Sequence, residues 1–455
     1  MKYIENYPVT QLHEAEYNPR SITPEMFQKL CVSIQRFGVC IPLIINQTGT
    51  LIAGHQRTKA IKHCGIQNVP VYMSNIKIAI HDEIRFNLTH NAIDATNANV
   101  FIKQHGMSGF HRISASKIEV VTNENVIQIT ETAYLLCKYG EFGGCVVDSG
   151  TGRVIYGQMY ASACKQTGID CLAYVIDSSQ AKEFESFLMS DYGEYDFSKL
   201  DIKAYNQTHC QMHRLSNERG SRLYEKFVIP ALDKSQSYID FGAGECAYAM
   251  ALKRKGYDFC WYEPFYKKKA GGINMSATVR MIQVIEDHIV NRHALFDVAI
   301  LDSVLNSSTS LEFEHCILLT VNSLLTESGI LFCSCRCSES FTQQRKTVAS
   351  SVKRNNLFYA DKNNYTATFR CGTWTMQRFL SAPEFITLLR KYFQKVELFK
   401  DESMDKILKA RCQFPISFPK SEIERVLNIE FNMEYPGGHY HNRHQELVKA
   451  VLNLH

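Results

Sequence analysis

The chain has 455 residues, of which 45% are hydrophobic, 21% charged and 11% aromatic. That composition excludes a disordered or collagen-like polymer and a small disulfide-stapled scaffold, and the length leaves room for roughly two to four domains. Lys and Arg number 50 against 46 Asp and Glu, a net charge of +4 that neither identifies nor excludes a polyanionic partner. Sixteen cysteines would fit a secreted protein, but Met1 to Thr10 contains Glu5 and Pro8 and lacks an apolar core, and no run approaches the ~20 apolar residues of a membrane span. The expectation is a cytoplasmic chain with reduced thiols and no membrane partner. No Cys-x-x-Cys pair occurs, and Cys333, Cys335 and Cys337 recur at period two, which places them on one face of a strand as packed thiols rather than metal ligands.

In the first 95 residues, Phe27, Leu30, Ile34 and Phe37 recur at helical spacing from Pro24, and Gly38 stops the helix. A strand at Ile41 to Ile45, a Thr48-Gly49 turn and a strand at Leu51 to Ala53 follow. Then Gly54-His55-Gln56-Arg57-Thr58-Lys59-Ala60 opens a second helix that ends at Gly65. A glycine turn before a helix start that carries Arg57 and Lys59 fits an anion site, with Gly54, His55, Arg57 and Lys59 as the phosphate-binding residues; a solvated basic helix accounts for the same pattern equally well.

Asn18-Pro19-Arg20, Ser33-Ile34-x-x-Phe37-Gly38, Pro42-Leu43-Ile44 and Gly54-x-x-Arg57-x-x-Ala60 resemble the ParB/sulfiredoxin-like N-terminal domain, in the same order as in that family. The resemblance implies an α+β module that binds nucleotide phosphates or DNA, with a nucleotide triphosphate as a candidate ligand. His55-Gln56 stands where clamp-forming members carry an acid and a second arginine, and Phe86-Asn87-Leu88-Thr89-His90 stands where the family has a Glu-Asn-Leu-Gln-Arg type segment. The missing acid speaks against clamp-type hydrolysis.

Thr48-Gly49-Thr50-Leu51-Ile52-Ala53-Gly54 recurs as Thr151-Gly152-Arg153-Val154-Ile155-Tyr156-Gly157, and Ala60, Lys62, Gly65 and Ile66 as Ala163, Lys165, Gly168 and Ile169, at a constant offset of 103. A duplicated module is expected over residues 96–200. Its basic box has become Gln158-Met159-Tyr160, so this second half is expected to be degenerate.

A polar stretch is expected to be a linker at 201–224. Beyond it strands alternate with helices, which predicts a parallel sheet covered on both faces over 225–400, extended by 401–455. Tyr238 to Phe241 reads as a strand, Gly242-Ala243-Gly244 as a glycine turn, and Ala247 to Lys255 as a helix. A second strand, Phe259 to Tyr262, ends at Glu263. By spacing, Gly242-x-Gly244-x-x-Ala247 with Glu263 as the ribose-binding acid is equally a dinucleotide site. Asp240 separates the two, because a carboxylate before the glycines repels a pyrophosphate, whereas S-adenosylmethionine carries an ammonium and a sulfonium and no phosphate.

Asp240-x-Gly242-x-Gly244, Glu263 and the strand Phe296 to Leu301 ending at Asp302 resemble the class I S-adenosylmethionine-dependent methyltransferases. The resemblance implies a Rossmann-like domain in which Asp240, Gly242, Gly244, Glu263 and Asp302 bind the cofactor. Tyr262-Glu263-Pro264-Phe265, Asp302-Ser303-Val304-Leu305-Asn306-Ser307 and Gly372-x-Trp374-x-x-Gln377-Arg378-Phe379 resemble methyltransferases of phage and mobile-element DNA-modification clusters, some fused to ParB-like domains. That association implies DNA as partner and substrate.

The chain has neither Pro-Pro nor Pro-Cys, so the pairs used by amino-directed and C5-directed DNA methylases are missing. Asp302 and Asn306, at a strand tip, are the candidate catalytic residues, the first to accept a proton and the second to orient the acceptor; a helix-capping turn is the plainer use of the same pair. Lys253-Arg254-Lys255, Lys267-Lys268-Lys269, Lys353-Arg354 and Arg378, interleaved with Tyr266, Phe358, Tyr359 and Trp374, suit phosphate contact and base stacking. His439, His441 and His444 lack cysteine or carboxylate partners at zinc spacing, and no metal site is expected. The alternatives are a non-catalytic, nucleotide-switched DNA-binding protein and a methyltransferase acting on RNA or a small molecule.

Overall fold

The computed structural model describes residues 1–15, 20–79, 82–83, 85–87, 98–103, 106–123, 126–188, 194–195, 197, 200, 202–210, 220–268, 271–339, 356–360, 363–370, 373–400 and 407–455. They form two units, Met1–Leu200 with Thr347–Phe358, and Asp201–Lys346 with Tyr359–His455.

The first unit opens with β1 (Lys2–Pro8), β2 (Arg20–Ser21), α1 (Pro24–Phe37), β3 (Leu43–Ile45), β4 (Leu51–Ala53), α2 (His55–His63) and β5 (Asn68–Met73). α1 starts where the Thr23 hydroxyl accepts the Met26 N–H and Pro24 occupies the first turn, and it buries Cys31, Ile34 and Phe37. There follow β6 (Asn99–Ile102), β7 (Gly109–Ile113), β8 (Ile118–Thr122), α3 (Val126–Tyr139), β9 (Cys145–Asp148), β10 (Val154–Tyr156), α4 (Gln158–Thr167), β11 (Cys171–Ile176), α5 (Ser178–Phe187) and β12 (Glu194–Tyr195). One sheet has the order β1-β5-β3-β4 and the other β7-β11-β9-β10. The pairing senses match strand for strand: β3 with β5 and β9 with β11 are parallel, and the remaining pairs are antiparallel.

The two sheets share a core in which Ile44, Ile52 and Ala53 of the first pack with Cys145, Val147 and Val175 of the second and with Leu135 of α3. A buried ionic knot reinforces it. Asp82 accepts from Arg85 at 3.1 Å, from Lys138 at 2.6 Å and from the Tyr139 hydroxyl at 2.5 Å.

The second unit contains β13 (Ser237–Phe241), α6 (Ala247–Arg254), β14 (Asp258–Tyr262), α7 (Met275–Arg292), β15 (Phe296–Asp302), α8 (Leu311–Ser323), β16 (Leu325–Arg336), β17 (Tyr365–Arg370), β18 (Thr373–Arg378), α9 (Ala382–Leu389), β19 (Phe393–Leu398), β20 (Ile407–Pro415), α10 (Lys420–Glu430) and α11 (Gln445–Leu452). Its main sheet runs β14-β13-β15-β16-β20-β19. The first four strands are parallel and β20 is antiparallel to both of its neighbours. This is a Rossmann-like, doubly wound sheet whose order reverses at β13, so a crevice opens beyond the carboxyl ends of β13 and β15. Cys333, Cys335 and Cys337 are buried thiols of the β16 region.

Two boundaries are corrected. Residues 204–210, expected in a linker, form a 3-10 helix that buries Gln207, Thr208 and Cys210, because Ala204 and Tyr205 pack on Phe265, Met433 and Tyr435. Residues 401–455 are more than an extension: β20 fills the place between β16 and β19, and α10 and α11 pack into the same core.

Candidate functional site

At the end of β13 the chain turns through Gly242, which adopts a φ of +72° and whose N–H donates to the Tyr262 carbonyl at 2.8 Å. A Cβ there would lie 2.5 Å from Val304 Cγ2, so glycine is required for space as well as for backbone conformation. Glu263, 4% exposed, follows β14 and closes over this turn. Its Oε2 accepts the Gly244 N–H at 2.8 Å and its Oε1 the Phe265 N–H at 3.0 Å. Cys246 takes the place of a third glycine and adopts a φ of 59° as the residue that caps α6. Burial and the nearby Asp240, Glu263 and Glu245 carboxylates push its thiol well up, so it is no nucleophile.

Asp302 ends β15. One of its oxygens accepts from Ser221 at 2.5 Å and the other from Ser334 at 2.5 Å, with Ser303 at 3.3 Å. These hydroxyls fix the carboxylate as an acceptor facing the crevice.

The cavity here, about 110 Å³ within a crevice of about 920 Å³ that opens to solvent, is lined by Gly242, Gly244, Glu263, Asp302 and Asn306 among the expected residues. It is also lined by Gln377, from the quoted Gly372-to-Phe379 motif, and by Gln207, Arg336, Glu430 and Met433, which sequence reasoning did not single out. Burial pushes the Glu430 carboxyl up to about 8, assisted by the Glu263 charge. No local motif marked Gln207 or Glu430, which arrive from segments read as linker and extension.

Two expectations are revised. Asp240 is 2% exposed within β13 and, unlike Gly242, Gly244, Glu263 and Asp302, is not part of the lining. Asn306 lines the cavity, yet its Oδ1 accepts from the Arg336 N–H at 3.0 Å and its Nδ2 donates to the Arg378 carbonyl at 2.7 Å. Its amide braces β16 against β18 rather than orienting an acceptor.

In the first unit, Gly54 has a φ of +100° before α2, and a Cβ would lie 2.5 Å from Leu43 Cδ2. The Arg57 guanidinium lies beside this turn, 3.2 Å from the same Cβ position. His55 is 3% exposed, and burial, with Lys59 nearby, lowers its imidazole to about 4, so it is neutral at pH 7. Arg57 folds back to donate to the Ile41 carbonyl at 2.6 Å, and Lys59 stands in solvent beside Glu14 at 3.5 Å.

Two of the residues expected at a polyanion are also reassigned. Arg378 pairs with buried Glu314, and Trp374 is 1% exposed and cannot stack on a base. Lys269, Lys353, Arg354 and the side chains of Phe358 and Tyr359 lie outside the described residues. Among the described residues no cluster of three or more His, Cys, Asp or Glu is arranged to hold a metal ion, and no helix is long and apolar enough to cross a membrane.

Among solved structures, the chain is similar to the PH0226 protein of Pyrococcus horikoshii OT3 (11% identity, 43% of this chain and 88% of that one, TM-score 0.29). It is also similar to a SAM-dependent methyltransferase of Methanosarcina mazei (14% identity, 42% and 98%, TM-score 0.27). The model of the ParB N-terminal domain matches residues 1–92. The ParB-like nuclease domain-containing protein YnaK of Escherichia coli (strain K12) is 34% identical over 64 residues, 14% of this chain and 74% of that protein. By its N-terminal region, the chain belongs to the ParB-like domain family.

Proposed function

We propose that the second unit transfers a methyl group from S-adenosylmethionine to a nucleic-acid base, and that the ParB-like region engages DNA or a nucleotide phosphate. The observation that carries the reading is the charge of the crevice. Glu263 and Asp302 line it against one guanidinium, Arg336, beside a Glu430 carboxyl that burial keeps largely protonated at neutral pH. Such a lining repels a dinucleotide pyrophosphate and favours an ammonium and a sulfonium.

S-Adenosylmethionine, when bound, supplies an electrophilic methyl group. Glu263, held by the Gly244 and Phe265 N–H groups at the tip of β14, is the acid suited to a ribose hydroxyl. Asp302, held by Ser221 and Ser334, is placed to accept an N–H of the acceptor and to take up a proton as the new bond forms. The remaining requirement is an in-line pose, which a preformed crevice supplies. In the first unit, Lys59 presents its charge to solvent and is the side chain suited to a phosphodiester.

Calorimetry with S-adenosylmethionine and NAD on the full chain tests the reading. S-Adenosylmethionine binds, NAD does not, and Glu263→Ala weakens binding at least tenfold; preference for NAD, or full affinity in the variant, overturns it. Label transfer from the cofactor to DNA, RNA and nucleosides then identifies the acceptor.

A further inference from the structure

Two polar side chains of the crevice carry buried polar atoms without a partner among the described residues. Gln207 is 4% exposed, and among the described residues neither its amide oxygen nor its amide nitrogen has a hydrogen-bond partner. Glu430 is 2% exposed, and its Oε2 likewise has none. Both line the cavity together with Phe313 and Met433. A buried amide without partners is destabilising, so such groups persist where a ligand satisfies them.

The backbone that carries each side chain is anchored. The 204–210 helix is anchored where Lys267 Nζ donates to the Thr208 carbonyl at 2.6 Å and where Lys203 pairs with Glu434 at 3.2 Å. Glu430 ends α10, and its carbonyl accepts the Tyr262 hydroxyl at 2.7 Å.

We propose that Gln207 and Glu430 recognise the methyl acceptor as a heterocycle with an amino group beside an unprotonated ring nitrogen, the edge of adenine or cytosine. The inference rests on the methyl-transfer reading for the use made of that group. A glutamine amide sets an acceptor beside a donor, which matches an amino N–H beside a ring nitrogen in a bidentate pair. The same amide can flip to fit a lactam, so the rest of the lining decides between them. Asp302 and Glu263 present carboxylates to the same cavity, and Glu430 a carboxyl that burial keeps largely protonated at neutral pH, able to donate to a ring nitrogen. A group with two N–H bonds therefore finds partners for both, whereas a lactam carbonyl faces carboxylates. As the amine nitrogen bonds to the methyl carbon and the carbon–sulfur bond breaks, one amine proton passes to a carboxylate and the sulfonium becomes a neutral thioether, so charge and atoms balance.

The test is equilibrium binding to the full chain, with and without S-adenosylhomocysteine, of oligo-dT carrying one central dA or dC, of oligo-dT alone, and of free adenosine, cytidine and thymidine. An amino-bearing base is expected to be preferred at least tenfold over thymine. Gln207→Met is expected to abolish the preference while its unfolding midpoint stays equal or rises, since an unsatisfied amide is removed. Glu430→Met removes the carboxyl at similar volume and is expected to reduce the preference. A wild-type chain without the preference, or a Gln207→Met chain that keeps it, overturns the inference whatever the cofactor affinity. A chain that prefers the amino base but does not bind S-adenosylmethionine removes the methyl-transfer reading and leaves this recognition standing. Preference in the oligonucleotides alone makes the source a nucleic acid, and preference among the free nucleosides makes it a small molecule.

Discussion

Glu263 accepts the Gly244 N–H at 2.8 Å, which ties the tip of β14 to the glycine turn that leaves β13. The same carboxylate holds the Phe265 N–H, so it shapes the crevice before any ligand arrives. Glu263→Ala removes two charge-assisted hydrogen bonds and is expected to cost about 2–4 kcal/mol of unfolding free energy as well as cofactor affinity. Glu263→Gln keeps one acceptor oxygen, so it should retain more of the stability than of the affinity. Denaturant melts alongside calorimetry separate the two effects; equal losses in both variants would show that the residue is structural only.

The two glycines of the turn should respond differently to a methyl group. Gly242 is confined by Val304 and has a positive φ, whereas a Cβ at Gly244 meets nothing within 4 Å and suffers only from its φ of +58°. Gly242→Ala is expected to destabilise the second unit by about 2–4 kcal/mol and Gly244→Ala by about 1 kcal/mol. Val304→Ala opens the space and should recover part of the first loss, which urea denaturation of the double variant measures.

Asp302 and Asn306 share a strand tip and separate by function. Asn306 closes two backbone hydrogen bonds between β16 and β18, so Asn306→Ala is expected to cost about 2–3 kcal/mol while the folded fraction binds cofactor normally. Asp302→Asn keeps the shape among Ser221, Ser303 and Ser334, and is expected to lower methyl transfer at least a hundredfold with a small change in melting temperature. Transfer rates normalised to folded protein distinguish the pair.

The glycine turn, the acid at the next strand tip and Asp302 were legible because their chemistry is local: strand, glycine and carboxylate follow one another in the chain. What sequence hid was packing. Arg57, Arg378 and Trp374 look like ligand-facing residues in a one-dimensional pattern, but the Ile41 carbonyl, Glu314 and the core claim them. Gln207 and Glu430 are over two hundred positions apart and meet at one cavity only because the 204–210 helix and α10 converge on the loop after β14. The antiparallel insertion of β20 was equally invisible, since nothing in the alternation of strands tells which neighbour a late strand will choose.

Glu430 gives the second unit a pH dependence of definite sign. Its carboxyl rises from 4.5 to about 8 in the folded chain, so the folded state keeps a proton that the unfolded state releases. The stabilisation is complete below about 4.5 and is lost as pH rises through 8, amounting to a few kcal/mol at the alkaline end. Glu430→Gln removes the titration, and its unfolding free energy should exceed that of the wild type at pH 9 by more than at pH 5. Parallel curves at the two pH values would show that Glu430 is ionised in the folded chain.

His55 sets the opposite trend in the first unit. Burial lowers its imidazole from 6.5 to about 4, so the unfolded chain binds a proton that the folded chain refuses. Stability is full above 6.5 and falls as pH drops from 6.5 towards 4, by ~3 kcal/mol at the acid end. Gln158 occupies the matching position, the first of α4, one offset of 103 along the chain, which makes glutamine the natural replacement. His55→Gln is expected to flatten the pH dependence of unfolding between 6.5 and 4 with no loss at pH 8. A phosphate-binding imidazolium would behave otherwise: histidine NMR titration would place its pKa above 6.5, and inorganic phosphate would raise it further, whereas a buried neutral ring stays unprotonated down to about pH 4 with or without phosphate.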